Sequence, residues 1–310
     1  MPLSSITRRQ PLRRRARFVR ELPFHMMMLP AVVLVFIFSY IPMFGIVMAF
    51  QKFNVLLSFW KSKFIGWGNF EYLFSMPEFS RAMWNTVIIA VLKIITNLTV
   101  TLSLSLLINE CTRSWFKRGV QVGIFLPFFL SWSILGGIVL EIFSLSGPIN
   151  KIIGALSGNN VFFLASNKWF RFVLVSTDVW KGMGYNIIIF LAAITNVDPG
   201  LYESASIDGC GRPRQTWHIT LPGMQPIIVL ISTLSIGSLL TAGFEQILIL
   251  YNPLVYETVD IIDTLVYRLG LVNGQLAPAA AAGLYKSIIS LAMVGIAYYT
   301  AYRVSDYRIF

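Results

Sequence analysis

The sequence predicts an all-α integral membrane protein with six transmembrane helices, and three observations carry that prediction. Of the 310 residues, 56% are apolar and 13% are charged, against about 25% charged in soluble domains. So little polar surface cannot clothe a soluble globule. Six apolar runs reach the roughly 20 helical residues that cross about 30 Å of hydrocarbon, where the backbone must satisfy its own hydrogen bonds. Arg8, Arg9, Arg13, Arg14, Arg15, Arg17 and Arg20 crowd the segment before the first run, as the positive-inside rule expects of a cytoplasmic tail.

Taken in order, residues 1–24 form that basic tail. The first run, 25–50, exceeds the roughly 7–15 residues of a signal-peptide core, and no small-residue cleavage site follows it. The second, 84–109, leads into a short inner loop, 110–118, carrying Arg113, Lys117 and Arg118. The third, 119–143, and the fourth, 172–195, are followed by a second inner loop, 196–224, with Arg212 and Arg214. The fifth and sixth, 225–250 and 278–302, flank an outer loop that is acidic at Glu257, Asp260 and Asp263 and reads as solvated. An even number of spans puts both termini in the cytoplasm, the second being a short tail, 304–310. Residues 25–303 are then one membrane domain. Trp60, Trp67, Trp84, Trp169 and Phe170 near the outer boundary suit an aromatic belt.

The net charge of +11 does not point to nucleic acid, because it gathers in the arginine-rich tail and the inner loops. Cys111 and Cys210 both fall in segments assigned to the cytoplasm, where thiols stay reduced. His25 and His218 have no Cys or carboxylate at ligand spacing, so no metal or cofactor is expected on this chain.

The inner loop 196–224 carries helix punctuation. Asp198 can cap free N–H groups, and Pro199 loses nothing at a first helical position. Gly209 can take the left-handed conformation that closes a helix. Gly211 and Pro213 then begin a second short helix through Gln215 and Trp217, which Pro222 and Pro226 are expected to stop. The result is a helix–turn–helix knob. Ala205 leaves a small surface, Glu203 offers a charge to a basic partner, and Asp208 braces the turn.

Ionisable groups inside a bilayer face a cavity or a partner. Lys93 lies about 13 Å into the second span at 1.5 Å per residue, and Asn97 shares its face one turn on. Asp178 and Lys181, three apart, are expected to pair with each other. Glu245 and Lys286 lie in the outer parts of the last two spans. Lys93, Asn97, Tyr185, Asn186 and Glu245 are candidates for a polar substrate path, and helix packing accounts for the same residues equally well. Lys93 would favour a substrate bearing carboxylates.

Tyr202-Glu203-Ser204-Ala205-Ser206-Ile207-Asp208-Gly209, with Ile219-Thr220-Leu221-Pro222 after it, has the spacing E-x-A-x3-G-x9-I-x-L-P. It resembles the signature loop of permease subunits from binding-protein-dependent ABC importers. Ser204 stands where that family usually has Ala, and Cys210 where Ala is commoner. The likeness covers nearly the whole chain and looks closest to the oligosaccharide branch, within it the polysaccharide or aldouronate subfamily. Carrying it are Tyr40-Ile41-Pro42-Met43-Phe44-Gly45, Gly66-Trp67-Gly68-Asn69-Phe70, Asn85-Thr86, Leu107-Ile108-Asn109-Glu110, Leu126-Pro127, Ser131-Trp132, Asn252-Pro253-Leu254-Val255-Tyr256, Tyr267-Arg268-Leu269-Gly270-Leu271 and Gly283-Leu284-Tyr285.

The resemblance implies a type I importer fold in the bacterial inner membrane, with 196–224 as a cytoplasmic coupling loop. Tyr202, Glu203, Ser204, Ala205, Asp208 and Gly209 would meet an ATPase there. It also implies a second homologous permease, two ATPase subunits holding ATP and Mg, and an extracytoplasmic solute-binding protein. The substrate would be an oligosaccharide, with uronate-containing sugars such as alginate fragments as the leading class. Independently of the likeness, the sequence has no G-x-x-x-x-G-K-[ST] loop to cradle nucleotide phosphates, so an ATP-driven process needs another chain. The alternatives are a secondary transporter or channel without an ATPase, and a membrane enzyme acting on lipid-linked sugar. For the enzyme, Asp260 and Asp263 are the nearest approach to paired carboxylates.

Overall fold

The structure, a computed structural model, describes residues 14–54, 58–237, 240 and 243–305. The arginine-rich start through residue 13 and residues 306–310 of the predicted tail lie outside the described residues. The chain is helical nearly throughout. Its long pieces are α1 (Glu21–Phe50), α2 (Pro77–Glu110), α3 (Ser114–Phe129), α4 (Trp132–Ile142), α5 (Asn167–Thr195), α6 (Pro199–Ile207), α7 (Arg212–Ile236), α8 (Phe244–Leu250) and α9 (Leu276–Ser305). The first helix is already under way at Arg14, so residues 14–24 of the predicted tail are helical.

Among the described residues, four helices are long and apolar enough to cross a membrane, or five if a bent pair is one span. Among the described residues each of the six apolar runs is mainly helical, yet two of them are broken. The third run is α3 and α4, bent by 113°. The fifth ends with α7 and resumes as α8, with Gly243 in the left-handed region at φ 81° before it. The fourth run, α5, is 29 residues long but carries Lys168, Arg171, Asp178 and Lys181, which lowers its hydropathy without shortening it.

Proline does not stop α7, contrary to the expectation for Pro222 and Pro226. The helix widens into a five-residue π turn, Thr216–Thr220, immediately upstream, and Leu221 N–H bonds to Thr216 O. A wide turn absorbs both the missing N–H and the ring of the proline that follows. The same arrangement recurs in α1, where the π turn Phe36–Tyr40 precedes Pro42.

Three cross-helix pairs fix the centre of the bundle: Asn85 with Arg171, Lys93 with Asp178, and Asn97 with Asn186. Residue numbers rise together along both helices, so α2 and α5 run parallel. A single crossing, the bent α3–α4, therefore lies between them. Buried Ile89, Ala90, Leu135, Val139, Phe170, Val173, Leu174, Ile247 and Leu250 join α2, α4, α5 and α8 into one core. A second core of Ala49, Phe70, Leu73, Phe79, Ala82, Ala279, Ala281 and Ala282 ties the end of α1 to α9. By contrast, the apolar window of α1 buries nothing within the chain.

Short connections cap the end of the bundle opposite α6. Asn69 donates to Ala49 O at 2.8 Å and to Gln51 O at 2.9 Å, fastening the 66–70 segment to the end of α1. Gln51–Lys52 pairs antiparallel with Lys63–Phe64 beside it. Asn85 donates to the carbonyls of Glu257 and Asp260, both at 3.1 Å, and Thr86 accepts from Ile262 N–H at 3.0 Å. Trp60, Trp67 and Trp84 at this end are exposed, as an aromatic belt requires, while Phe170 is fully buried and belongs to the core instead.

Candidate functional site

The knob between α5 and α7 is built as its punctuation predicts at both ends of α6. Asp198 accepts from Gly200 N–H at 2.9 Å. At the other end Gly209 has φ 75°. Gly209 N–H reaches Ser206 O at 3.1 Å and Cys210 N–H reaches Ala205 O at 2.8 Å, the two bonds of a Schellman closure. Gln215 clamps the turn by donating to Ser206 Oγ and Cys210 O, each at 3.0 Å. Tyr202 is half-buried and its hydroxyl meets Thr220 Oγ1 at 2.9 Å, so it anchors α6 to α7.

Glu203, Ser204, Asp208 and Gly209 are exposed and Ala205 is half-buried. Around them Leu201, Ile207 and Trp217 are also exposed, Ile207 at 87%. That much exposed apolar surface is unusual on a polar loop left to water. Arg212 pairs with Glu110 at 3.0 Å, linking the loop to the end of α2. That tie was not foreseen, although Glu110 closes the Leu107-Ile108-Asn109-Glu110 segment. A cleft of 510 Å³ runs between the two, lined by Glu110, Thr195, Tyr202, Arg212 and Thr220 among others.

The candidate path residues fall into separate places. Lys93 is nearly enclosed and donates to Asp178 Oδ1 at 3.0 Å and to Gln246 Oε1 at 2.5 Å. Gln246 in turn donates to Leu174 O and Thr177 Oγ1, both at 2.8 Å. One buried cation thus joins α2, α5 and α8. Asn186 donates to Asn97 Oδ1 at 2.7 Å, one turn beyond Lys93 on α2 and about two turns beyond Asp178 on α5. Tyr185 is exposed and stacks on Phe128 at 5.6 Å. Glu245 lies elsewhere, on a cavity of 880 Å³ beside Trp132, Phe244, Asp263 and Tyr267.

Asp178 and Lys181 do not pair with each other. Asp178 is taken by Lys93. The Lys181 ammonium instead donates to the carbonyls of Leu130, Phe128 (3.3 Å) and Pro127 (3.5 Å), with the Trp132 ring 5.7 Å away. Phe128 O lies in the last turn of α3, where a helix leaves its carbonyls unbonded, and Pro127 O is shared with Leu130 N–H, so Lys181 caps α3 where the span breaks. On the far side Ser131 caps α4 by accepting from Ile134 N–H. Lys286 pairs with Asp263 at 2.5 Å.

The acidic loop is solvated only in part: Glu257 is exposed, Asp263 half-buried and Asp260 buried. Asp260 is 4% exposed and takes both ends of the Arg268 guanidinium, at 3.1 and 2.5 Å, plus the Thr264 hydroxyl at 2.7 Å. Its carboxylate is saturated and cannot act with Asp263 as an acid–base pair.

Gln246 and Thr177 were missed as members of the polar centre. The available signal was a lone Gln in the apolar stretch Phe244-Glu245-Gln246-Ile247-Leu248, since a buried amide needs partners.

Residues 97–306 match the family described as binding-protein-dependent transport system inner membrane component. Two proteins of Bacillus subtilis (strain 168) are each 37% identical to this chain. Protein LplB aligns over 296 residues, 95% of this chain and 93% of its own. The polygalacturonan/rhamnogalacturonan transport system permease protein YteP aligns over 282 residues, 91% and 88%. A chain in the crystal structure of a bacterial ABC transporter involved in the import of the acidic polysaccharide alginate superimposes with a TM-score of 0.87. It is 34% identical, over 95% of this chain and 100% of that one. A chain of a bacterial alginate ABC transporter in complex with an alginate pentasaccharide-bound periplasmic protein gives 0.86 at the same identity, over 95% and 99%. The broken spans and the α6 knob therefore sit within a type I importer permease fold. This chain belongs to the binding-protein-dependent transport system inner membrane components, as a permease subunit of a sugar ABC importer.

Proposed function

We propose that this subunit forms one half of an ATP-driven path that admits oligosaccharides from an external binding protein, with uronate-containing sugars as the leading class. The observation that carries the coupling part is the knob itself. Exposed Glu203 and Ile207 and half-buried Ala205 stand on a helix whose two ends and base are all locked by hydrogen bonds, with exposed Trp217 beside them at the start of α7. A rigid, partly apolar projection transmits force where a floppy loop would not.

In this reading α6 lies on the cytoplasmic side, both termini face the cytoplasm, and a second homologous permease completes the path. Two separate ATPase subunits, which hold ATP and Mg, grip the knob. Closing the ATPases moves it, and the spans rock between outward- and inward-facing arrangements. That cycle needs ATP and the loaded binding protein to favour the outward state over the inward one.

The lean toward acidic sugars rests on YteP and the alginate transporter rather than on Lys93, whose charge is matched by Asp178. The test is ATP hydrolysis by the complex assembled from this chain, the genomic-neighbour permease, ATPase and binding protein, with acidic or neutral oligosaccharides added. Stimulation by acidic sugars alone supports the full reading. Stimulation by neutral ones removes the uronate preference, and failure to assemble with any candidate ATPase sinks the importer cycle.

A further inference from the structure

We propose that the 880 Å³ cavity beside α8 is a subsite for an uncharged sugar unit, with Glu245 as the residue that takes its hydroxyls. This rests on the sugar-importer reading above. The volume lies in the roughly 300–1,000 Å³ range of small-molecule sites. Trp132, Phe244 and Tyr267 supply aromatic wall, against which the C–H face of a sugar ring can lie.

The state of the carboxylates decides the chemistry. Asp178 is held by Lys93, Asp260 by Arg268, and Asp263, on the cavity wall, by Lys286. Glu245 is exposed on the same wall and accepts no hydrogen bond from a described residue. It is left with two oxygens that accept only, and sugar hydroxyls are the matching donors. No Lys or Arg is among the described residues lining the cavity. A uronate placed there would set one carboxylate against another with no cation between them, a like-charge contact that repels. An acidic oligosaccharide would therefore have its carboxylates read elsewhere in the complex while this chain holds a neutral unit.

The experiment uses the reconstituted importer and one oligosaccharide in two forms, a uronate trisaccharide and the same trisaccharide methyl-esterified. Substrate-stimulated ATP hydrolysis is read for wild type, Glu245→Gln and Glu245→Asp, normalised to assembled complex. The same binding protein serves every arm, so its own preference cancels in each variant-to-wild-type ratio. Glu245→Gln is expected to raise the half-saturating concentration of the ester about tenfold, the loss of one charge-assisted hydrogen bond. The acidic form is expected to respond as before or better, and Glu245→Asp to restore most of the ester response. An equal loss on both forms, a loss on the acidic form alone, or no change on either overturns the subsite. A wild type that responds to neither sugar overturns the importer reading first, and the subsite with it.

Discussion

Breaking the Lys93–Asp178 pair from either side should cost more than removing the pair entirely. At 3.0 Å and an effective dielectric constant of 20, the attraction is about 5.5 kcal/mol. Losing one partner of a buried pair costs about 3–5 kcal/mol, because the other charge is stranded. The two sides are unequal, since the side chains are 7% exposed at Lys93 and 27% at Asp178. Asp178→Asn strands the more enclosed charge and should be the worse single change, at about 4 kcal/mol. Lys93→Met leaves a carboxylate that partly reaches water, and should fall near the lower limit of about 3 kcal/mol. It also deprives Gln246 Oε1 of its donor. The double change Lys93→Met/Asp178→Asn should recover to within about 1–2 kcal/mol of wild type, since no charge is left buried. The assay is the apparent melting temperature of the purified complex, where about 2 °C per kcal/mol applies to a chain of this size. Asp178→Asn should then melt about 8 °C low and the double variant about 2–4 °C low. A double variant as unstable as the sum of the singles would refute the coupling. A Lys93→Met that loses only acidic sugars, unrescued by Asp178→Asn, would return Lys93 to the substrate path.

Other outcomes follow from geometry. Ala205→Arg should leave the spans folded and abolish substrate-stimulated ATP hydrolysis; hydrolysis at the normal rate would remove the knob from the coupling path. Gly243→Ala should be far more damaging than Gly209→Ala in membrane yield and melting. Both glycines have positive φ, but a Cβ at Gly243 would stand 2.5 Å from Lys93 Nζ, whereas one at Gly209 meets nothing within 4 Å. The Gly209 change should cost about 1–2 kcal/mol. Lys181→Met uncaps the end of α3 and should widen the distance distribution between spin labels on α3 and α4. Lys181→Arg, which keeps donors and charge, should hold it narrow, and identical distributions for both variants would contradict the capping role.

What could be read in the sequence was local. Asp198-Pro199 and Gly209 each act within a few residues of themselves, and the structure uses them as their chemistry suggests. Asn69 and Asn85-Thr86 stood out as segments but without partners, because those partners are backbone atoms of distant loops. Most of the readings that failed concerned non-local geometry. Asp178 and Lys181 look like a one-turn ion pair, yet each has a better partner on another helix. Asp260 reads as solvated until Arg268 folds back on it. The bend at Leu130 leaves no trace in hydropathy, since α3 and α4 are both apolar. Pro222 reads as a stop because periodicity does not reveal that five residues upstream have already widened into a π turn. The path residues illustrate the same division. Lys93 and Asn97 are neighbours by helical spacing, but whether they face substrate or one another's partners is decided by α5 and α8.

The bonds from Asn85 to the carbonyls of Glu257 and Asp260 span 172 and 175 positions. In a chain made from its N-terminus, the second helix enters the membrane with that amide still waiting for its acceptors, and the Thr86 oxygen for its Ile262 N–H donor, on backbone that has not been synthesised. Synthesis at roughly 5–20 residues per second makes the wait on the order of ten seconds or more. During that interval water, Arg171 or a helper protein must shield the second helix. This cap consequently closes late, with only the contacts of α9 to follow it, and a chain truncated before residue 257 should remain a substrate for membrane quality control even though most of its spans are present.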